Sequence, residues 1–458
     1  MTLARRSFLA SAAAPCLHNG WGAPARRPNI LFLFPDQLRR DFVEPAEGIP
    51  VKTPHLRKLA DAGVRFTQAV TPAPLCAPAR ACLASGREYD RCGVASNKDS
   101  FPLGQATFYQ RLRAAGYHVM GCGKFDLHKP ELDWGLDGKR LIREWGFSDG
   151  VDNEGKHDGT RAYTRNGKPM GPFLAYLESL GLARTHVEDY EKRKGHGDTF
   201  PTPLPDSAYG DNWIARNGLA LLDSAPRNKP WFLQVNFNGP HDPWDVTASM
   251  QRRWRGIAFP QPVKNTQLTA ANHVLVRENY AAMIENIDTR IGELLEKVRR
   301  RGELDNTLIV VSSDHGEMLG DHNLWGKTQP YQGSTGVPLV VSGLGVRPAV
   351  QSAPATALDL TATFLDYAGA EALEGMDSRS LRPLLNGQGP AREFVSSGMG
   401  GWRMAVRERF KYVRQAEGGP LLFDLRNDPH ETENLAHSQA KLAAEMERLL
   451  PRNGSLAP

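Results

Sequence analysis

Cysteine is scarce in this chain, five residues in 458, and the spacing of Cys82, Cys92 and Cys122 matches no zinc-binding pattern. Neither an essential disulfide framework nor a structural zinc finger is therefore expected. No run beyond the first residues is long and apolar enough to span a bilayer. No Lys/Arg cluster is interleaved with aromatic residues, which excludes nucleic-acid binding as the principal activity, while the net charge of +5 mildly favours anionic substrates. Internal repeats and low-complexity segments are missing too. What is present is the ordinary balance of a globular protein, 40% hydrophobic and 23% charged, with enough length for one large domain or two unequal ones.

The first residues read Arg5-Arg6-Ser7-Phe8-Leu9, then Ala10 to Ala14, then Ala23-Pro24-Ala25. A twin arginine, a short apolar core and an Ala-x-Ala end predict a twin-arginine export signal over residues 1–25, and with it a periplasmic or secreted protein. Cys16 lies inside that segment.

Pro28 to Phe34 is a continuous apolar run bounded by Pro and Asp, the pattern of a strand buried on both faces of a parallel sheet. A helix from Pro54 to Ala62, a strand from Val64 to Val70, a helix from Thr107 to Ala115 and a strand from Tyr117 to Met120 follow in alternation. Trp231 to Phe237, the long amphipathic helix around Tyr280 to Val298, Leu308 to Val311, Val337 to Val341 and a helix near Leu358 to Ala368 continue the pattern. The polar stretch from Glu131 to Tyr209 is expected as irregular substrate-side loops. Near the end, Phe394 to Ser397, Met404 to Arg407, Phe410 to Arg414 and Leu421 to Asp424, with a helix over Ser438 to Leu450, predict a small antiparallel sheet plus helix. The fold class is thus α/β, a mixed and mostly parallel central sheet flanked by helices over residues 26–370, with an α+β subdomain over 371–458.

Within this frame, Leu75-Cys76-Ala77-Pro78-Ala79-Arg80-Ala81-Cys82-Leu83-Ala84-Ser85-Gly86 places a cysteine ahead of a helix that Pro78 can begin and Gly86 can close. The helix start carries a positive partial charge and Arg80 adds a full one, so the site suits an anion. Cys-x-Pro-x-Arg followed by Leu-x-Ser-Gly resembles the signature of type I sulfatases of the alkaline phosphatase superfamily. The resemblance implies that a formylglycine-generating enzyme matures Cys76 to formylglycine (3-oxoalanine), the aldehyde nucleophile of a sulfuric ester hydrolase.

Asp36-Gln37 and Asp314-His315 follow buried strands at their carboxyl ends, where open α/β sheets place ligands. With Cys76 they form a candidate metal site. Carboxylates and an amide oxygen suit Ca²⁺ or Mg²⁺, the histidine tilts the set toward Mn²⁺, and the family resemblance favours Ca²⁺. The family commonly has Asp-Asp and Asp-Asn at these places, so Gln37 and His315 resemble instead the choline-sulfatase-like and phosphonate-monoester-hydrolase-like branches. Lys124, His128, His241 and Lys327 complete the resemblance as groups that clamp sulfate oxygens or move protons, with Arg80 beside them. Many relatives read Lys-x-His where this chain has Lys124-Phe125-Asp126, so either His128 replaces that histidine or Asp126 contacts substrate. The implied substrate is a sulfated small molecule or oligosaccharide, with sulfated carbohydrate favoured and a phosphonate monoester or phosphodiester as the alternative.

Overall fold

The computed structural model describes residues 27–43, 48–267 and 270–451. The expected export signal, residues 1–25, lies outside them. Among the described residues no helix is long and apolar enough to cross a membrane.

The centre is an eight-stranded sheet built from β1 (Asn29–Leu33), β2 (Val64–Phe66), β3 (His118–Gly123), β4 (Asp149–Asp152), β5 (Trp231–Asn236), β6 (Thr307–Val311), β7 (Val340–Gly343) and β8 (Ala349–Gln351). Their order is β4-β3-β5-β1-β6-β7-β2-β8. β7 runs antiparallel to both its neighbours, and the other strands share one direction. All five residues of β1 are buried, and successive side chains enter opposite cores: Ile30 and Phe32 pack on one face, Leu31 and Leu33 on the other. A strand covered on both sides has no polar face to expose, which is why its sequence is an unbroken apolar run.

The helices divide between the two faces. α1 (Pro54–Ala62), α7 (Gly210–Ser224) and the long helix Ala270–Arg300 cover one side. α2 (Cys76–Ser85), α3 (Phe108–Ala114) and the helix Leu360–Ala368 cover the other. Thr107 caps α3 by accepting from Gln110 N–H while the Gln110 side chain accepts from Thr107 N–H, so this start is a full capping box.

Two expectations are corrected. The single strand Val64 to Val70 breaks at Thr67-Gln68, which bond to Gln351 and Ser352, and Ala69–Val70 pairs instead with Ala355–Thr356 in a separate two-stranded sheet. The polar stretch 131–209 is largely ordered: it supplies edge strand β4 and helices α4 (Lys156–Asn166), α5 (Pro172–Ser179) and α6 (Ala183–Lys192). These helices are short and bury few apolar side chains, among them Leu174, Leu177, Val187 and Tyr190, so their periodicity is faint.

The C-terminal sheet forms as expected, with Val395–Met399, Trp402–Arg407, Phe410–Gln415 and Leu421–Asp424 paired antiparallel, followed by the helix Ala440–Glu447. It touches the larger sheet's loops at chosen points. Gly398 N–H bonds to Pro72 O at 3.1 Å, and the Trp402 indole N–H bonds to Thr328 O at 2.8 Å, one residue beyond Lys327.

Candidate active site

The carboxyl ends of β1, β3, β5 and β6 open onto one cleft and deliver Asp36, Lys124, His241 and Asp314 to it. Asp36 is fixed there by its backbone N–H, which reaches Phe237 O and Gly239 O at 3.1 Å each. Gly123 has φ +102°, and a Cβ on it would lie 1.8 Å from Asn236 O. Only glycine lets β3 end this tightly against β5 and turn Lys124 toward Asp36.

Helix α2 is buried along all ten residues, mostly small ones, and Gly86 closes it in the left-handed conformation. Its start is less open to an anion than the sequence suggests. Ala77 N–H donates to Asn97 Oδ1 at 3.0 Å, Pro78 has no N–H, and Ala79 N–H donates to Leu75 O at 2.9 Å. Holding an anion therefore falls to side chains.

Cys76, Asp36, Asp314 and His315 offer ligand atoms that all lie within 4.8 Å of one another, and all four residues are buried. Cys76 Sγ is 3.3 Å from His315 Nε2 and 3.9 Å from Asp36 Oδ1. His315 Nδ1 lies 2.9 Å from Gly316 O, a contact that calls for a proton on Nδ1, and Nε2 is the ring atom that faces the sulfur. Asp314 Oδ1 accepts from Gln37 N–H at 3.0 Å and His315 N–H at 2.9 Å. Two carboxylates, an imidazole nitrogen and a sulfur in a buried pocket are a donor set that fits a divalent metal.

Charges around the cluster oppose its burial. Burial alone would raise the Asp36 carboxyl, yet Lys124, His241, Arg80 and Lys327 outweigh it and hold that group well below the usual carboxylate range. Burial and Asp36 push the Cys76 thiol up, while Lys124, Lys327 and His315 pull it down further, so it ends well below an ordinary thiol. Lys124 is desolvated but raised by Asp126 and Asp36. It pairs with Asp36 and stands 3.2 Å from Asp126.

Three expected site residues sit differently. Arg80 does not face a free oxyanion: it pairs with Asp314 at 2.9 Å and lies 3.6 Å from Asp36, so it positions the two carboxylates. The Gln37 amide is turned out of the cluster, its oxygen toward Lys327 and its nitrogen toward Glu317 and Asp242, because those carboxylates accept from NH₂ and the ammonium requires an oxygen. His128 is outside the cleft altogether. Its Nε2 is 3.0 Å from Asp133 O, its Nδ1 is 3.6 Å from Asp152, and its ring lies against Trp134 and Trp145 at 6.0 and 5.2 Å. Asp126 stands in its place beside Lys124. His128→Ala is accordingly expected to lower stability by about 1–3 kcal/mol in a denaturant titration and to leave the pH profile of kcat unmoved.

His241 and Lys327 do meet: Lys327 Nζ is 2.5 Å from His241 Nε2, and His241 Nδ1 is 2.5 Å from Asp242 O. Asp242 also holds His157 Nε2 at 3.0 Å, and Lys129 ties Asp126 (2.9 Å) to Asp158. Sequence reasoning missed Asn97, Lys129, His157 and Asp242. Asp242 adjoins His241 and could have been flagged; the others arrive through loops and α4, from which no local pattern points to Cys76.

The sulfatase family model matches residues 28–370. The chain belongs to the sulfatase family. This sulfatase is 29% identical over 442 residues to the choline-sulfatase of Rhizobium meliloti (strain 1021), a match covering 90% of this chain and 83% of the relative. It is 25% identical over 404 residues to an N-acetylglucosamine-6-O-sulfatase of Bacteroides thetaiotaomicron, covering 80% and 72%. Its fold is similar to that of the phosphonate monoester hydrolase of Agrobacterium radiobacter, with a TM-score of 0.78, 24% identity, and 92% and 94% of the two chains covered. The sulfatase is thus a sulfuric ester hydrolase whose fold is shared with a phosphonate monoester hydrolase.

Proposed function

We propose that this sulfatase hydrolyses sulfate monoesters of carbohydrates, using an aldehyde matured from Cys76 and a divalent metal, Ca²⁺ in preference to Mn²⁺. The observation that carries the reading is the meeting of Cys76, Asp36, Asp314 and His315 within 4.8 Å, beneath Lys124, Lys327 and His241. Asp36, Asp314 and His315 would hold the metal, with Gln37 next to them. A hydrated aldehyde at position 76 would supply one hydroxyl to attack sulfur as the S–O bond to the alcohol breaks, and a second whose loss of a proton would re-form the aldehyde C=O and break the carbon–oxygen bond to the sulfated oxygen, expelling sulfate; the metal would supply Lewis-acid charge.

The rest is done by the chain's own groups. Lys124 and Lys327 keep positive charge where the sulfate oxygens gain negative charge as the S–O bond breaks. His241, oriented by Asp242 O and in contact with Lys327, is placed to protonate the departing alcohol, and either group of that pair can give the proton. His128 takes no part. Residues 26–370 form the catalytic unit on this reading, and residues 371–458 buttress it through the Trp402 contact beside Lys327. Residues 1–25 direct the protein to the periplasm or beyond by the twin-arginine route, so a formylglycine-generating enzyme would act on the chain before export.

A second reading, a phosphonate monoester hydrolase with the same aldehyde, is favoured by Gln37 and His315, which reduce the negative charge facing the ester. Assay of the matured, Ca²⁺-loaded enzyme against 4-nitrophenyl sulfate, sulfated saccharides and a phenyl phosphonate monoester separates the two. Sulfate esters are expected to show the higher kcat/KM; a phosphonate monoester turned over about tenfold faster would overturn the first reading in favour of the second.

A further inference from the structure

The cleft above Cys76 is walled by more cations than one sulfate ester uses. Besides Lys124 and His241 it is lined by Lys98, Lys129, Lys156 and Arg161, against a single carboxylate, Asp158. Two of these cations are already matched. Lys129 is held by Asp126 and Asp158, and Lys156 by Asp245 at 2.6 Å. The other two are not. Lys98 is exposed and, among the described residues, has no carboxylate partner. The Arg161 side chain is 65% exposed, with only a 3.4 Å contact to an Asp158 that Lys129 has engaged.

Both unmatched cations are held near the chemistry. Lys98 follows Asn97, whose amide is pinned to the start of the catalytic helix at Ala77 N–H. Arg161 lies one helical turn beyond His157 on α4, and the His157 ring is 6.1 Å from that of His241. On the reading above His241 serves the departing alcohol, so these charges address the leaving-group side of the substrate. Pro130 and Leu132 add apolar surface to the same wall. A quaternary ammonium would find there neither an uncommitted carboxylate nor, among the described lining residues, a Phe, Tyr or Trp face to receive it.

We propose that the substrate carries a second anionic group, a carboxylate or a further sulfate, on its leaving-group side, and that Lys98 and Arg161 receive it. This assignment rests on the sulfatase reading and narrows its substrate class to polyanionic saccharides. Both charges are solvent-exposed, so the preference should shrink as salt is added.

The test measures binding, separately from turnover. Calorimetry on the Cys76→Ala protein, Ca²⁺-loaded at low ionic strength, compares two matched pairs: N-acetylglucosamine 6-sulfate with N-sulfoglucosamine 6-sulfate, and a uronate-bearing 6-sulfated disaccharide with its carboxyl-reduced form. The second anion is expected to tighten Kd by about tenfold in at least one pair, and which pair responds tells sulfate from carboxylate. Adding K98A and R161A should erase that difference while leaving the singly charged ligand's Kd unchanged. In the catalytically intact background, K98A/R161A should hydrolyse 4-nitrophenyl sulfate within about twofold of wild type. Equal affinities in both pairs, a preference that survives the double substitution, or no measurable binding by all four ligands would overturn the proposal. Loss of all sulfate-ester turnover in the matured wild-type enzyme, with the binding preference intact, would instead count against the sulfatase reading alone.

Discussion

Cys76→Ala abolishes sulfate-ester turnover, with an expected loss on the order of 10⁴-fold or more, the scale of removing a nucleophile that nothing else replaces. The loss should be confined to rate. Position 76 is the first residue of a buried helix with four alanines among its other nine residues, so a methyl group fits the space left by the thiol, and His315 Nε2, which loses the sulfur at 3.3 Å, keeps the Asp314 and Asp36 carboxylates at 3.6 and 3.8 Å. Thermal melts of the variant should therefore track wild type closely while kcat disappears. Cys76→Ser is expected to fail in the same way in a host that does not mature serine, because a plain serine has no geminal hydroxyl whose deprotonation could form C=O and expel the sulfate. Intact-mass analysis of active wild type should show the thiol converted to an aldehyde. A fully active preparation whose position 76 is an unmodified cysteine would sink the mechanism.

What could be read from the sequence follows from how local each feature is. The strand ending at Asp36 and the one ending at Asp314 are fully buried, so continuous apolar runs marked them and the polar pairs behind them stood out. The helix after Cys76 was legible because Pro78 and Gly86 bracket it. The residues Asn97, Lys129 and His157 were not, since they are fixed at the cleft by tertiary contacts with Ala77, Asp158 and Asp242. His128 shows the opposite failure. Its place in a motif suggested a catalytic role, but Leu127 and His128 turn inward, where Trp134 and Trp145 enclose the ring and burial lowers its basicity. Side-chain direction after a strand end depends on a few backbone angles, such as the +54° φ at Asp126, which sequence does not display. The polar stretch 131–209 hid three helices for a related reason: they are short, and their apolar side chains, such as Phe173, Leu174 and Val187, are held by the main core beside Trp213 and Ile214, a contact that no local pattern displays.

Asp36→Asn is expected to lose activity by about 10³-fold or more and, unlike the change at Cys76, to cost stability as well. Asp36 is fully buried and meets Lys124, Arg80 and His315 at once. An amide in its place keeps the shape but leaves the Lys124 ammonium with Asp126 as its remaining carboxylate, at 3.2 Å, and Arg80 with Asp314. Breaking one partner from a buried charge pair costs about 3–5 kcal/mol. The second consequence concerns the ion. In wild type, Ca²⁺ at about a hundred times its Kd should add about 2.7 kcal/mol to stability, since it binds only the folded cluster. Asp36→Asn removes one of two carboxylates from that cluster, so its melting temperature should respond weakly to Ca²⁺, and chelation should change it little. The comparison separates two explanations of an inactive variant: lost ion pairing lowers the melting temperature with or without Ca²⁺, whereas lost metal binding flattens the response to it. If Asp36→Asn melted like wild type and gained as much from Ca²⁺, the metal would have to be held without Asp36, and the cluster that joins the tips of β1 and β6 to Cys76 would not be its site.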